Sequence, residues 1–126
     1  MRFLSLYKPG KDADETPPSQ EHMAAMGKFC EEMARAGSLL ATEGCQSSAK
    51  GARVGISGGK FTVIDGPFTE AKELIGGFAL LQADSKEEAI ELVQRFLKFM
   101  GEGECELRQL YEPSDLCPAT TAINGR

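Results

Sequence analysis

The sequence predicts a single α+β domain in which two helices cover one face of an antiparallel sheet. The chain has 126 residues, which is the size of one ordinary domain. Two segments each carry one apolar stripe at helical spacing, and they alternate with strand-like segments in the order β–α–β–hairpin–β–α–β. A helix with one apolar stripe needs a sheet against which to bury it, and one face of an antiparallel sheet can accept both helices.

The first strand and the first helix follow from local patterns. The segment from Arg2 to Tyr7 alternates like a strand. Ser19 is a predicted N-cap, because its hydroxyl can accept a bond from a backbone N–H in the first turn of a helix that reaches about Ala36. The apolar stripe of this helix consists of His22, Met26, Phe29 and Met33.

A hairpin is the clearest local signal, and it follows a short strand from Ser38 to Thr42. Two alternating runs, Arg53 to Ser57 and Lys60 to Asp65, are joined by Gly58-Gly59, which tolerates the positive φ angles of a tight turn. Asp65-Gly66-Pro67-Phe68 ends the hairpin, and we expect a positive φ at Gly66.

The second half repeats the alternation of strand and helix. We expect a turn or short helix from Thr69 to Ile75 and a central strand from Phe78 to Ala83. The capping-box pattern that begins at Ser85 predicts a helix that ends near Met100. Cys105 to Tyr111 is the last strand. Too few elements remain to cover the second face of the sheet, so a second copy of the chain is its natural cover, and we expect a homodimer.

Composition and charge narrow the functional classes. Apolar residues make up 41% and charged residues 26% of the chain, as in a soluble globular protein. The net charge is −5 and no basic patch is present, which argues against a nucleic-acid partner. No apolar run reaches the length of a membrane span and no signal-peptide pattern opens the chain, so we expect a cytoplasmic protein with no membrane partner.

The cysteine and histidine pattern argues against a metal site. The four cysteines, Cys30, Cys45, Cys105 and Cys117, contain no C-x-x-C pair, and the single histidine is not at ligand spacing from any of them. We therefore expect no metal, no tightly bound cofactor and free thiols, with two disulfides as the alternative.

The segment Asp65-Gly66-Pro67-Phe68, followed by Thr69 to Glu73 and by Gly76-Gly77-Phe78, resembles the signature of DGPF-domain proteins in the YCII-related family. The likeness extends over about residues 1–112 and leaves 113–126 as a C-terminal tail. The resemblance implies a ferredoxin-like fold of the dimeric α+β barrel type and a homodimer. Biochemical functions in the family are mostly unassigned.

The resemblance also implies candidate partners and catalytic residues. Some bacterial relatives are encoded beside, or fused to, extracytoplasmic-function sigma factors, so a sigma factor is a candidate partner. In the YCII branch a His–Asp pair in a cleft has been suggested as an active site, and this idea transfers here to His22 and Asp65.

Each of these two residues has a structural alternative. Asp65 could act as a base or acid if partial burial raised its pKa, or it could be a turn residue that bonds its own following backbone. His22 lies in the first turn of the predicted helix, where the helix dipole disfavours the imidazolium and keeps a neutral ring available as a base. The alternative is a packed histidine on an apolar stripe.

Charged residues supply the candidate ligand-binding groups. Glu70, Lys72 and Glu73 could clamp a polar ligand or pair across a dimer seam, and the alternative is a solvated turn with weak ion pairs. Arg108 could bind an anionic ligand bidentately, or it could point to solvent.

Two functional hypotheses follow, together with a structural alternative. The first is a homodimer with a small-molecule cleft and acid–base catalysis. The second is a non-catalytic ligand-binding or regulatory module associated with an extracytoplasmic-function sigma factor. The third is a purely structural dimer.

Overall fold

The computed structural model describes residues 1–10, 19–68 and 74–115. Its strands are β1 (Arg2–Pro9), β2 (Leu39–Gly44), β3 (Ala52–Ser57), β4 (Lys60–Asp65), β5 (Gly77–Gln82) and β6 (Gly103–Gln109), and its helices are α1 (Gln20–Arg35) and α2 (Lys86–Met100). Short 3-10 turns span Ser48–Lys50 and Pro113–Asp115. Neither helix of the described part is long and apolar enough to cross a membrane.

Four strands form one sheet in the order β2-β5-β1-β6, and every neighbouring pair is antiparallel. Each helix connects two strands that are not neighbours, which is the split β–α–β arrangement of a ferredoxin-like fold. The predicted α+β fold is therefore confirmed. Side chains alternate between the faces of β1, so Phe3, Ser5 and Tyr7 lie on the helix side and Leu4 and Leu6 on the other side.

The predicted helix starts are confirmed by their caps. The Ser19 hydroxyl accepts a hydrogen bond from the backbone N–H of His22 at 3.1 Å, and the Ser85 hydroxyl accepts one from Glu88 at the same distance. Gly37, with φ of 82°, follows α1 in the left-handed conformation that ends many helices. Each cap satisfies a backbone donor that the first helical turn would leave without a partner.

The tightly packed core lies at one end of the helix–sheet interface. Phe3 and Leu81 are cross-strand partners on β1 and β5, and they cluster with Ala83 and with Ala89 in the first turn of α2. Phe3 is only 1% exposed and is the one large side chain of the described residues that is fully buried. We call this region the closed end of the domain.

The hairpin β3–β4 forms a two-stranded sheet of its own and is not hydrogen-bonded to the four-stranded sheet. Its turn uses Gly58 and Gly59 at φ of 56° and 80°, as the sequence predicts. Every residue of both strands is exposed. We call Ala52–Asp65 the arm, because it is a separate strand pair beside the main sheet.

The predicted positive φ at Gly66 is wrong, since the positive-φ glycines of the described chain do not include it. The glycine is needed instead for close approach, because a Cβ at Gly66 would overlap the carbonyl oxygen of Ser48. Around this contact the Gly66 N–H donates to the Gly51 carbonyl and the Phe68 N–H donates to the Ser48 hydroxyl, both at 3.0 Å. The D-G-P-F segment is thereby docked on the Ser48–Lys50 turn.

We expect Gly66→Ala and Gly27→Ala to change stability in opposite directions. The new methyl at position 66 must displace the Ser48 backbone, and overpacking of this kind costs about 1–3 kcal/mol. Gly27 lies inside α1, and no atom outside its own helical turn lies within 4 Å of the place that a methyl would take, so alanine there should add up to about 1 kcal/mol through helix propensity. Urea unfolding followed by circular dichroism measures both, and equal effects would contradict the close-approach role of Gly66.

Candidate functional site

A large cavity lies between the helices and the sheet, extending away from the closed end. Its volume is about 1220 Å³, which exceeds the range of about 300–1,000 Å³ found for most ligand pockets. The helix-side face of the sheet contributes Ser5, Tyr7, Gly77 and Ala79 to its lining. The loop after β2 contributes Cys45, Gln46 and Ser47.

The remaining wall is formed by the two helices and is largely apolar. The residues concerned are Met26, Phe29 and Met33 of α1 and Leu92, Phe96 and Met100 of α2. Only Met33 of α1 and Ala89 of α2 are buried. Most of the apolar stripe of α1 therefore borders the cavity instead of packing on the sheet.

His22 stands in the cavity wall where the first turn of α1 meets the end of α2. Its Nε2 lies 3.3 Å from the thioether sulfur of Met100, and its ring centroid is 5.2 Å from that of Phe99. Phe99 also stacks on Phe29 at 5.8 Å, which joins the two helices at this end. The imidazole is half-buried, and its ring nitrogen is engaged by a sulfur that is only a weak hydrogen-bond partner.

Tyr7 is a second polar group of the cavity. Its ring packs edge-on against Phe96 at 5.3 Å, and its hydroxyl donates to the carbonyl of Glu102 at 3.2 Å. Burial raises the pKa of Tyr7, and Cys105 nearby raises it further. A Cβ at Gly76 or Gly103 would lie 3.1 Å or 2.7 Å from the tyrosine ring, so both glycines make room for it.

Sequence reasoning did not single out Tyr7 as a site residue. The available signal was its place on the same strand face as Phe3 and Ser5, which put a phenol on the side of the sheet that the helices cover.

The thiols near the cavity differ in exposure. Burial raises the pKa of Cys30, which lines the cavity. Burial also raises the pKa of Cys105. A hydrogen bond with Ser5 lowers this pKa in part, and the negative charge of Glu104 raises it further. Cys45 is exposed at the cavity wall. A raised pKa leaves less thiolate at neutral pH on Cys30 and Cys105 than on an ordinary cysteine.

The structure does not bring His22 and Asp65 together. Asp65 is exposed at the end of β4 in the arm, is not among the residues that line the cavity, and its carboxylate makes no hydrogen bond within the described chain. Its side chain shares a face of the arm with Val63 and Phe61, as strand alternation predicts. The catalytic roles of His22 and Asp65 stay predictions.

Arg108 lies on the outer face of the sheet, opposite the cavity. Its guanidinium pairs with Glu106 at 3.1 Å, and Lys8 pairs with the other oxygen of the same carboxylate at 3.1 Å. The hydrogen bonds from Lys8 and then Arg108 hold the pKa of Glu106 below its usual value. The predicted ligand-binding group Glu70, Lys72 and Glu73 lies outside the described residues, as does most of the turn predicted from Thr69 to Ile75.

Within residues 1–10, 19–68 and 74–115 there is no cluster of three or more His, Cys, Asp or Glu side chains that could hold a metal ion. The chemical groups that the cavity offers are an imidazole, a phenol, hydroxyls, thiols, the amide of Gln46 and the carboxylates of Glu43 and Glu102. These groups can donate and accept protons and can hydrogen-bond to a polar edge of an otherwise apolar ligand.

The chain was compared with protein families, curated proteins and solved structures. The family model of the YCII-related domain matches residues 1–112. A solved structure of 5-chloro-2-hydroxyhydroquinone dehydrochlorinase (TftG) from Burkholderia phenoliruptrix AC1100, in complex with 2,5-dihydroxybenzoquinone, is similar with a TM-score of 0.50. The two chains are 17% identical over 89% of this chain and 95% of the dehydrochlorinase. The search of curated proteins found no match.

We expect Cys45 to be alkylated before Cys30 and Cys105. Iodoacetamide reacts with thiolates, and burial both shields the latter two sulfurs and raises their pKa. With Cys117 replaced by serine in every protein, mass spectrometry of timed samples should show one fast site, which Cys45→Ser removes. The rate at Cys105 should still be rising at a pH where an ordinary thiol is fully ionised. Faster labelling of Cys105 than of Cys45 at neutral pH would contradict this order.

Proposed function

The chain belongs to the YCII-related family, and from this premise we propose that it is a homodimeric protein that binds a small molecule in the cavity and performs acid–base chemistry on it with His22. The observation that carries the proposal is the place of His22, the only histidine of the chain, in the wall of a large cavity. Imidazole is the side chain whose ordinary pKa best suits proton transfer near neutral pH.

The contacts of His22 hold its ring in place but leave its ring nitrogen in a weak interaction that a ligand could replace. Its ring is held by Phe99 and by Met100, so its position is defined. Its Nε2 contacts a thioether instead of a carboxylate or a backbone carbonyl, and a ligand hydroxyl could replace that weak contact at little cost in free energy. Tyr7 adds a phenol that is protonated at neutral pH, and burial raises its pKa further, so it is suited to hydrogen-bond to a ligand and is a weaker acid than an ordinary tyrosine.

The lining favours a planar, hydroxylated ring as the ligand. Thioethers and aromatic rings make favourable contacts with aromatic faces, and Met26, Phe96 and Met100 supply such surfaces. A few polar groups among them would fix the orientation of ring hydroxyls. The similar dehydrochlorinase structure contains a hydroxyquinone, which makes that class of compound a suitable probe.

Asp65 is not among the described residues that line this cavity, so the proposed chemistry is assigned to His22, with Tyr7 as a hydrogen-bonding group beside it. A non-catalytic module that contacts a sigma factor or binds a metabolite is the second candidate. The observation that favours it is the exposed apolar surface of the arm, which suits contact with another protein.

We expect 2,5-dihydroxybenzoquinone to bind the wild-type protein and His22→Gln to weaken that binding about ten-fold, the effect of losing one good hydrogen bond. Isothermal titration calorimetry measures both proteins. Glu21→Gln is the matched control, since Glu21 is the exposed neighbour of His22 in the same helical turn and should leave binding unchanged. Equal affinities of the wild type and the His22 variant would exclude His22 from the site.

The ring C–H groups of the same probe separate catalysis from binding. They lie beside enol oxygens, so a base and an acid can exchange them with deuterium from heavy water without any change in the compound's oxidation state. We expect the wild-type protein to accelerate this exchange in proton NMR spectra and His22→Gln to abolish the acceleration. Binding without accelerated exchange would favour the non-catalytic module.

A further inference from the structure

The floor of the cavity is the helix-side face of β1 and β5, and its side chains change in size along the strands. Three cross-strand pairs follow one another from the closed end outward. They are Phe3 with Leu81, Ser5 with Ala79, and Tyr7 with Gly77. The middle pair combines two small side chains, and both of them line the cavity. This pair therefore leaves a recess in the floor between the two aromatic rings.

Ser5 is the polar group of this recess. It is 6% exposed, and across residues 1–10, 19–68 and 74–115 it is the only polar or charged residue that is buried. Its neighbours on the two adjacent strands are Ala79 and Leu107, whose side chains contain no polar atom. A hydroxyl in such surroundings destabilises the fold unless it forms hydrogen bonds, and buried strand positions mostly carry apolar residues. Its presence here requires an explanation.

The partner that the structure shows for Ser5 uses only part of its hydrogen-bonding capacity. Its hydroxyl bonds the thiol of Cys105, which is a weak hydrogen-bonding group. A serine hydroxyl has one donor and two acceptor sites, so this contact leaves others available. Ser5 lines the cavity, whereas Cys105 is not among the described residues that do so. The remaining capacity of the hydroxyl is therefore available on the side of the cavity.

Ser5 and His22 approach the cavity from different places. Along β1, Ser5 lies between Phe3 at the closed end and Tyr7 farther out. His22 lies at the other end of the cavity, where it contacts Met100 at the end of α2. A flat ring with one edge at His22 would therefore present its other edge to the recess. A serine hydroxyl there could accept a bond from a ring hydroxyl or donate one to a ring carbonyl.

We propose that Ser5 is a specificity-determining residue of the cavity, and that its hydroxyl binds an oxygen on the ring edge opposite to the edge that His22 engages. This inference rests on the proposed function and narrows its ligand class. The cavity then selects planar rings that carry oxygens on two opposite edges over rings whose oxygens lie on one edge.

Ser5→Ala and the matched control Cys105→Ala separate ligand contact from packing of the floor. The first variant removes the hydroxyl, and the second removes the thiol that bonds it and keeps the hydroxyl. Isothermal titration calorimetry with 2,5-dihydroxybenzoquinone measures binding, and circular dichroism reports folding. We expect Ser5→Ala to weaken binding about ten-fold, as for one lost hydrogen bond, and Cys105→Ala to stay within about two-fold of the wild type.

The double variant of Ser5→Ala with His22→Gln tests whether the two side chains bind different oxygens. Contacts with separate oxygens are lost independently, so the combined loss should be about one hundred-fold. Proton NMR titration measures affinities in this weak range. A double variant that binds as well as the His22 single variant would contradict contacts on opposite edges.

Two isomeric probes test the selectivity. Hydroquinone carries its hydroxyls on opposite sides of the ring and catechol carries them on adjacent carbons, so the compounds match in size and in functional groups. We expect the wild type to bind hydroquinone at least about five-fold more tightly than catechol, and Ser5→Ala to lose this preference. A wild type with no preference for hydroquinone would contradict the selectivity.

The outcomes distinguish this inference from the proposed function. If Ser5→Ala binds 2,5-dihydroxybenzoquinone like the wild type while His22→Gln binds it weakly, the role of Ser5 is overturned and the proposed function stands. Equal losses in Ser5→Ala and Cys105→Ala assign the effect to packing and also overturn the inference. A wild type that does not bind the compound removes both the role of Ser5 and the proposed ligand class.

Discussion

The packing of Phe3 against Leu81 and Ala89 is the contact on which the arrangement of the domain depends. It fixes the start of α2 to the centre of the sheet at the closed end. Each helix has only one buried residue, Met33 near the end of α1 and Ala89 near the start of α2. Because the helices are held tightly only near that end, the space between them and the sheet widens toward the opposite end and becomes the cavity.

The opposite end is held by contacts between side chains of the two helices. Phe29 stacks on Phe99, His22 lies against Phe99 and the Met100 sulfur, and Tyr7 connects Phe96 to the sheet. Aromatic pairs of this kind contribute about 0.5–1.5 kcal/mol each beyond their buried area. They also place an imidazole and a phenol in the wall of the cavity, so residues that stabilise the open end are among those that a ligand would meet.

Local signals in the sequence predict much of this fold. Ser19 and Ser85 begin the helices as expected because capping depends on residues within one helical turn. Gly58-Gly59 closes the hairpin as expected, because a two-residue turn depends on the backbone angles that its own two residues can adopt. The separation between His22 and Asp65 could not be predicted this way. Alternation shows which face of a strand a residue occupies, but not whether a hairpin joins the main sheet.

The role of Gly66 was missed for a related reason. The turn pattern Asp-Gly-Pro indicates a backbone bend, whereas the requirement for glycine comes from the Ser48 carbonyl, eighteen residues earlier in the chain. Close approach between distant segments has no local signature in the sequence. A glycine can be required because its φ is positive or because a side chain would collide with another segment, and both requirements look the same in the sequence. The structure is needed to tell these two reasons apart.

The same contact gives the D-G-P-F segment a mechanical role. Gly66 and Phe68 bond to Gly51 and Ser48, and the guanidinium of Arg53 lies 4.0 Å from the Phe68 ring, so both strands of the arm are fixed at their base. The loop that leads to this base, from Cys45 to Ser47, also borders the cavity. These contacts fix the direction in which the hairpin extends, while its apolar face stays exposed. The motif therefore orients the arm, and the position of Asp65 at the end of the apolar face follows from that role without any requirement for catalysis.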